Sequence, residues 1–524
     1  NTTGYHNTAV GRDAMTANTT GIQNAAVGRN SLDANTTGSY NTSMGVNAMT
    51  ASTTGSNNTA FGKSALGSNT TANDNTAVGH YALGSNTTGT MNVGVGCSAL
   101  DANTTGNYNS AVGYGALGAN TTGTRNTSLG YTALTKNTTG DYNTSLGYNA
   151  LGNNTTADYN TGIGYKALED NTTGAQNVAV GDHALRDNTT ADYNTAVGNA
   201  AMNSNTTGAN NSACGANALD NNTTGSQNVA VGRHALSAVT TVDSNTAVGY
   251  YACSALTTGT ENTALGAQAL YLATTGSYNV AVGVYALDAA VTGSSNVAVG
   301  HQALSVNTSG GSNVAIGKEA LEANTTADHN TAVGAVALHV NTTGTHNQAV
   351  GNYALQQCTT GSYNVGLGYN TLGGVTTENN NVAIGDAALE SCTSGNNTAV
   401  GFRALYTKTN NGNCTAVGFE ALKMATTGPG NTAVGAYAGD DITTASYNTA
   451  VGYGALTAAT TGSYNTVVGR DALSVSTTGE YNTIVGHEAM KHCTGGNQNV
   501  AIGRMAGQYI TTGTYNISIG SIAN

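Results

Sequence analysis

The segment Asn75-Thr76-Ala77-Val78-Gly79-His80-Tyr81-Ala82-Leu83-Gly84-Ser85-Asn86-Thr87-Thr88-Gly89-Thr90-Met91 is followed at once by Asn92-Val93-Gly94-Val95-Gly96, the start of a second copy. Gly11, Gly28, Gly45, Gly62 and Gly79 are each 17 residues apart, and the spacing runs to Gly520 with a single 16-residue step from Gly385 to Gly401. Residues 1–524 thus read as one continuous array of 31 short units, with no room for a differently built domain. A unit this short cannot bury its own apolar face, so the copies must stack. The array opens and closes inside a repeat, so any leader, cap or anchor is expected outside it.

The recurrent Gly is taken as the origin, and the repeats then align one another column by column. The residue before Gly is apolar in every copy, as in Val10, Val27, Met44, Phe61 and Leu265. Two before it the residue is small almost everywhere, three before it mostly Thr or Val, and four before it Asn, with Cys414 the exception. Five such residues, with β-branched members and no Pro, read as a strand. After the Gly come two variable positions, then Ala and Leu or Met (Ala14-Met15, Ala65-Leu66), two more variable positions, and Asn-Thr-Thr-Gly. Nearly all charges, and most of the Tyr residues, occupy the variable columns, which marks these as solvated turns. Gly395-Asn396-Asn397, where the unit is one residue short, and the lone Pro429 fall in the same turn. A turn tolerates both changes and a ladder strand neither.

A helical solenoid needs uninterrupted runs of about 10–12 residues, and collagen needs Gly at every third position; neither is present. Disorder fits the low charge, but a linker does not keep one column apolar throughout. The fold class expected is therefore all-β: a parallel β-solenoid, or β-roll, of about 31 coils. At about 4.7–4.9 Å per coil this makes a rod of roughly 150 Å.

Asn7, Asn24 and Asn41, with Val10 and Val27 and Gly11, Gly28 and Gly45, are read as structural ladder residues of the strand. Asn18 and Asn35 form a second Asn column. Each match to Asn-Thr-Thr resembles an N-glycosylation acceptor, but later copies place Val239, Leu256, Ala273, Cys358 and Ile442 there. A position that exchanges Asn for aliphatic residues is expected to face inward, with amides stacked in a ladder. Lys408 is the exception, in an irregular unit where Asn410 and Asn411 replace Thr and Gly.

The Val10, Met15 and Asn222 columns are expected to be buried, and the Arg12 and Asp13 columns exposed. Both strand faces are restricted. Either the Asn and Gly columns are corner residues, or one face packs the coil interior while the small-residue face meets a neighbouring chain.

Charged residues are 8% of the chain and the net charge is −12. A nucleic-acid partner, which calls for a basic stripe, is not expected, and no apolar run reaches the length of a membrane span. The seven Cys residues read as packing substitutions, with Cys97 the thiol expected at the surface. No His pairs with Cys, Asp or Glu at ligand spacing along the sequence, Asp residues follow no fixed column, and no Gly-rich loop opens a helix. No catalytic, cofactor-binding or metal-binding residues are assigned, and no enzyme is expected.

The strands Asn279-Val280-Ala281-Val282-Gly283 and Asn313-Val314-Ala315-Ile316-Gly317 resemble the head repeats of trimeric autotransporter adhesins, which carry an Asn-x-Val-Ala-Ile-Gly type strand in a parallel β-roll. The whole unit is similar to repeats of large bacterial surface proteins and phage tail fibres. The 17-residue period is longer than that of the adhesin head, and no coiled-coil stalk, anchor or tail-fibre chaperone accompanies it. The resemblance implies an extracellular place on a cell surface or virion, and identical chains as partners, in a homotrimer or filament.

The leading expectation is thus the structural shaft of an extracellular fibre: a surface adhesin, a filament or a tail fibre. One alternative is an adhesive rod that binds host or surface glycans through exposed Tyr40, Tyr108 and Tyr142. A lower one is ice binding, which the Thr-rich columns suggest, although neighbouring Thr residues on a strand point to opposite faces.

Overall fold

The computed structural model describes residues 2–409 and 412–522. They form two compact units, Asn1–Glu261 and Asn262–Asn524. In the first unit the strands run from β1 (Thr8–Val10) to β15 (Thr246–Val248), and in the second from β16 (Thr263–Leu265) to β31 (Ile517–Ile519). Each strand has three residues and, within a unit, pairs in parallel with the next coil's strand, in register: Thr8 faces Ala25, Ala9 faces Ala26 and Val10 faces Val27. In the second unit Val280 faces Val297 in the same way. No helix occurs among the described residues. Each unit is a parallel β-solenoid with one coil per repeat.

Three residues per coil are left-handed: one two positions after Gly (Asn30, φ 56°), one four after (Leu32, φ 54°) and one just before the strand Asn (Tyr40, φ 62°). This explains a column that the sequence left unexplained. The position four after Gly, Asn524 apart, holds Leu, Met, Cys or Gly and never Val, Ile or Thr: a β-branched side chain is strained at positive φ, and this buried column excludes what the half-buried left-handed corner two after Gly accepts at Thr132 and Val336. The invariant Gly has two reasons to be Gly. At Gly45 φ is 145°, and an added Cβ would lie 2.6 Å from the carbonyl carbon of Gly62 in the next coil.

The strand faces are oriented opposite to expectation. The Ala column points inward, with Ala26, Ala60 and Ala247 fully buried. The Val column points outward: Val10 is 57% exposed, Phe61 53% and Leu129 46%. The coil is too narrow for two branched residues on its inner strand face. Its space is taken by buried Leu and Ala from the turn and by the Asn side chains. Strand Asn and Gly stand at the corners, outside the three-residue strand. Met15 and Asn222 are buried, and Arg12 and Asp13 exposed.

In three coils a larger residue in one interior column is matched by a smaller one in another. Where the second Asn column holds Ile442 or Ile510, the Leu column holds Gly439 or Gly507; where it holds Leu256, the Leu column holds Cys253. A Cβ on Gly439 would sit 2.8 Å from Ile442 Cδ1, so the larger residue fills the room that the smaller one leaves. At the short unit the strand is intact: β24 (Thr398–Val400) pairs in register with β23 (Val382–Ile384), and Asn396 keeps the left-handed corner at φ 62°. Asn410 and Asn411 lie outside the described residues.

Candidate functional site

Two Asn ladders and one Thr ladder join successive coils. In the strand column, Asn24 Oδ1 accepts from the Asn41 amide N (2.9 Å) while Asn24 Nδ2 donates to the Gly38 carbonyl (2.9 Å). In the second column, Asn35 Nδ2 donates to Asn18 Oδ1 (2.8 Å) and also to the Gly38 carbonyl (3.0 Å). The Thr36 hydroxyl donates to the Thr53 carbonyl (3.0 Å). The second Asn ladder has a direction, since each amide nitrogen reaches back to the preceding coil. Where the next coil lacks Asn, the last oxygen is orphaned: Asn35, Asn222 and Asn341 Oδ1 are buried without a partner, before Ser52, Val239 and Cys358. The Asn18 and Asn35 side chains are fully buried, so glycosylation would require the coil to open.

Lys408 takes the same inward position. Its side chain is buried and Nζ donates to the Gly428 carbonyl (2.7 Å). Burial holds its pKa below the ordinary lysine value. Cys97 and Cys214 are exposed and the other five cysteines buried. Cys214, expected in the packing, is outside because its column is.

The three Tyr residues expected at the surface are there: Tyr40, Tyr108 and Tyr142 are 54%, 51% and 41% exposed. Stacking of coils also builds contiguous rows that sequence order hides. Tyr114, Tyr131, Tyr148 and Tyr165 form one row, with ring centroids 5.2, 5.6 and 5.3 Å apart and rings within 14° of parallel. Tyr142 and Tyr159 stack at 4.8 Å, and the Arg125 guanidinium lies 5.5 and 5.2 Å from the Tyr108 and Tyr142 rings. Parallel rings this close must overlap face to face, because edge-to-edge neighbours would collide. Their faces are thus covered by one another, and the rows present edges and hydroxyls. A sugar ring, which stacks on an aromatic face, finds a bare face only at the end of a row. These rows are poorer glycan platforms than isolated exposed Tyr would be.

Stacking likewise brings together Glu319, Glu322 and His339, whose ligand atoms lie within 4.8 Å of one another. Sequence spacing missed this group because residues one period apart are neighbours in the stack. The three could ligate a divalent cation, but each already has a partner. His339 Nδ1 is 3.2 Å from Glu322 Oε2, and Lys318 Nζ is 3.1 Å from Glu319 Oε1.

One repeat breaks pattern. Gly373-Gly374 is the only Gly-Gly pair at the fifth and sixth positions after the repeat Gly. The flanking coils carry Gln356-Gln357 and Glu390-Ser391 there, and between them lies a recess of about 490 Å³. Its lining also includes Asn370, whose buried Oδ1 has no partner. The sequence signal was available in the missing side chains of a column pair that is otherwise filled at least once.

Neither a family model nor a curated protein matches the chain. Among the described residues, no helix is long and apolar enough to cross a membrane.

Proposed function

We propose that the chain is the non-catalytic shaft of an extracellular fibre, carried on a cell surface or virion and assembled laterally from identical chains. The observation that carries this reading is the outward strand face. Its two columns, such as Thr127 and Leu129 or Thr144 and Leu146, bear no charge in any coil. Neighbouring turn columns stack at the same spacing and accept Arg, Lys, Asp and Glu, so like-charge repulsion between coils does not explain the exclusion. All-parallel sheets are usually covered on both faces, and here the outer face of each unit is bare. A second copy matches the periodicity of that strip coil for coil. The similarity to adhesin head repeats and tail-fibre repeats supports the same reading.

Light scattering on the folded chain at micromolar concentration, with immunogold labelling of intact producing cells or virions, tests it. The expected result is a multiple of the 52.2 kDa chain mass and label on projecting surface fibres. A monodisperse monomer, or label confined to the cell interior, would overturn it.

A further inference from the structure

We propose that the recess over Gly373-Gly374 is a binding site for a neutral saccharide. It lies among the coils of β21 (Gln348–Val350), β22 (Val365–Leu367) and β23, all in the second unit. This goes beyond the fibre reading and does not depend on it, since a recess can bind ligand on an assembled or a single chain.

Two observations converge on this place. The first is shape. Two consecutive side chains are missing in one coil while both flanking coils keep theirs, so the surface is concave where the array is otherwise filled. The volume of about 490 Å³ falls within the roughly 300–1,000 Å³ of small-molecule sites. The second is the character of the wall. Gln356 and Gln357 supply amides that both donate and accept, Glu390 supplies acceptors only, and Ser391 supplies a hydroxyl.

That wall selects by chemistry. Its single charge is negative and no Lys or Arg lines it, which disfavours phosphate, sulfate and sialic-acid-like ligands. It has no apolar side chain to hold a lipid or an aliphatic peptide residue. A sugar hydroxyl donates to Glu390 while accepting from a Gln amide, so one polyhydroxy ligand satisfies both kinds of group at once. Part of the wall is already engaged within the chain, because the Thr393 hydroxyl donates to the Thr409 carbonyl. The contacts assigned to the ligand are therefore those of Glu390, Ser391 and the two Gln residues.

The test uses the full chain on an array of neutral and acidic oligosaccharides, followed by calorimetric titration with the best neutral hit. The native chain is expected to bind one neutral glycan per chain. The filled variant Gly373→Gln/Gly374→Gln, which repeats the residues of the preceding coil, and Glu390→Gln should each weaken binding at least tenfold. Gln357→Ala, at an exposed side chain, is expected to weaken it several-fold and needs no repacking, so it serves even if the filled variant fails to fold. Tyr148→Ala, within the Tyr row, should bind as the native chain does. The proposal is overturned if no neutral glycan binds above an unrelated control, if only acidic glycans bind, or if binding survives in Glu390→Gln and Gln357→Ala. It is equally overturned if Tyr148→Ala abolishes binding, or if calcium chloride alone titrates the site and removes glycan binding.

Discussion

Val248 and Ala247 are adjacent in the strand, yet the structure assigns them opposite environments. Ala247 is buried inside the coil and Val248 half-exposed outside it. In the dissociated chain, replacing Val248 by Asp is therefore expected to cost no more than about 1 kcal/mol, the span of strand propensity at an outward position. Ala247→Asp should cost several kcal/mol through a buried, unpaired charge. Denaturant titration of the two variants decides which face is inward, and equal effects would contradict the assignment. The orphaned oxygens allow a gain rather than a loss. Ser52→Asn would supply a donor to Asn35 Oδ1 and an acceptor to Asn69, joining two ladder segments that now stop at Ser52. A stabilisation of about 1–2 kcal/mol, read as slower amide exchange in the adjoining coils, is expected. An unchanged exchange rate would mean that the ladder's direction carries no energy. The faces were the one feature that column reading inverted. An outward column kept apolar in every copy has the same signature as an inward one, and only the width of the coil separates them.

At the level of the coil, the left-handed corners control what each turn accepts. Leu151, at φ 53°, should tolerate Met at under about 1 kcal/mol. Leu151→Ile adds β-branching at that φ and should cost about 1–2 kcal/mol more. Thermal unfolding of the pair checks this, and equal melting shifts would refute the steric account of the column. The exchange of volume between turn and ladder gives a second test. Gly439→Leu alone would crowd Ile442 and Leu422 and cost about 1–3 kcal/mol. With Ile442→Ala added, the coil repeats the Leu422/Ala425 and Leu456/Ala459 pairs of its neighbours, and most of the loss should return. A double-mutant cycle with no coupling would show that the two sites do not share one space. The period, the strand and the turn were all legible in the sequence, because 31 copies act as an alignment. The corner dihedrals were legible only as an absence, the missing Val, Ile and Thr of one column. The recess was legible only as Gly-Gly against its neighbours.

For the whole chain, the seven cysteines report which surfaces water reaches. Burial pushes Cys253 and Cys358 up to about 12, so both should stay thiols at pH 10, when an exposed thiol is largely ionised and reactive. Mass-tag labelling of the folded chain should modify Cys97 and Cys214 and spare the other five, with all seven reacting in denaturant. Cys214 also lies in the outward strand face. In a laterally assembled fibre it should be protected while Cys97 still reacts, and dilution to monomer should expose it. Rapid labelling of Cys253 in the native chain would contradict the inward Leu column. Group-specific chemistry was mostly illegible in sequence order, because Glu322 and His339, or Tyr131 and Tyr148, are neighbours only after the coils are stacked.

The in-register pairing of like with like has a hereditary consequence. A gene segment encoding one coil can be duplicated or lost in frame by recombination between its near-identical copies. The flanking coils then meet with their Asn, Thr and Ala columns still aligned. Chain length is thus free to drift between lineages in steps of one coil, while a partial step survives only where, as at Asn396, the change falls in a turn.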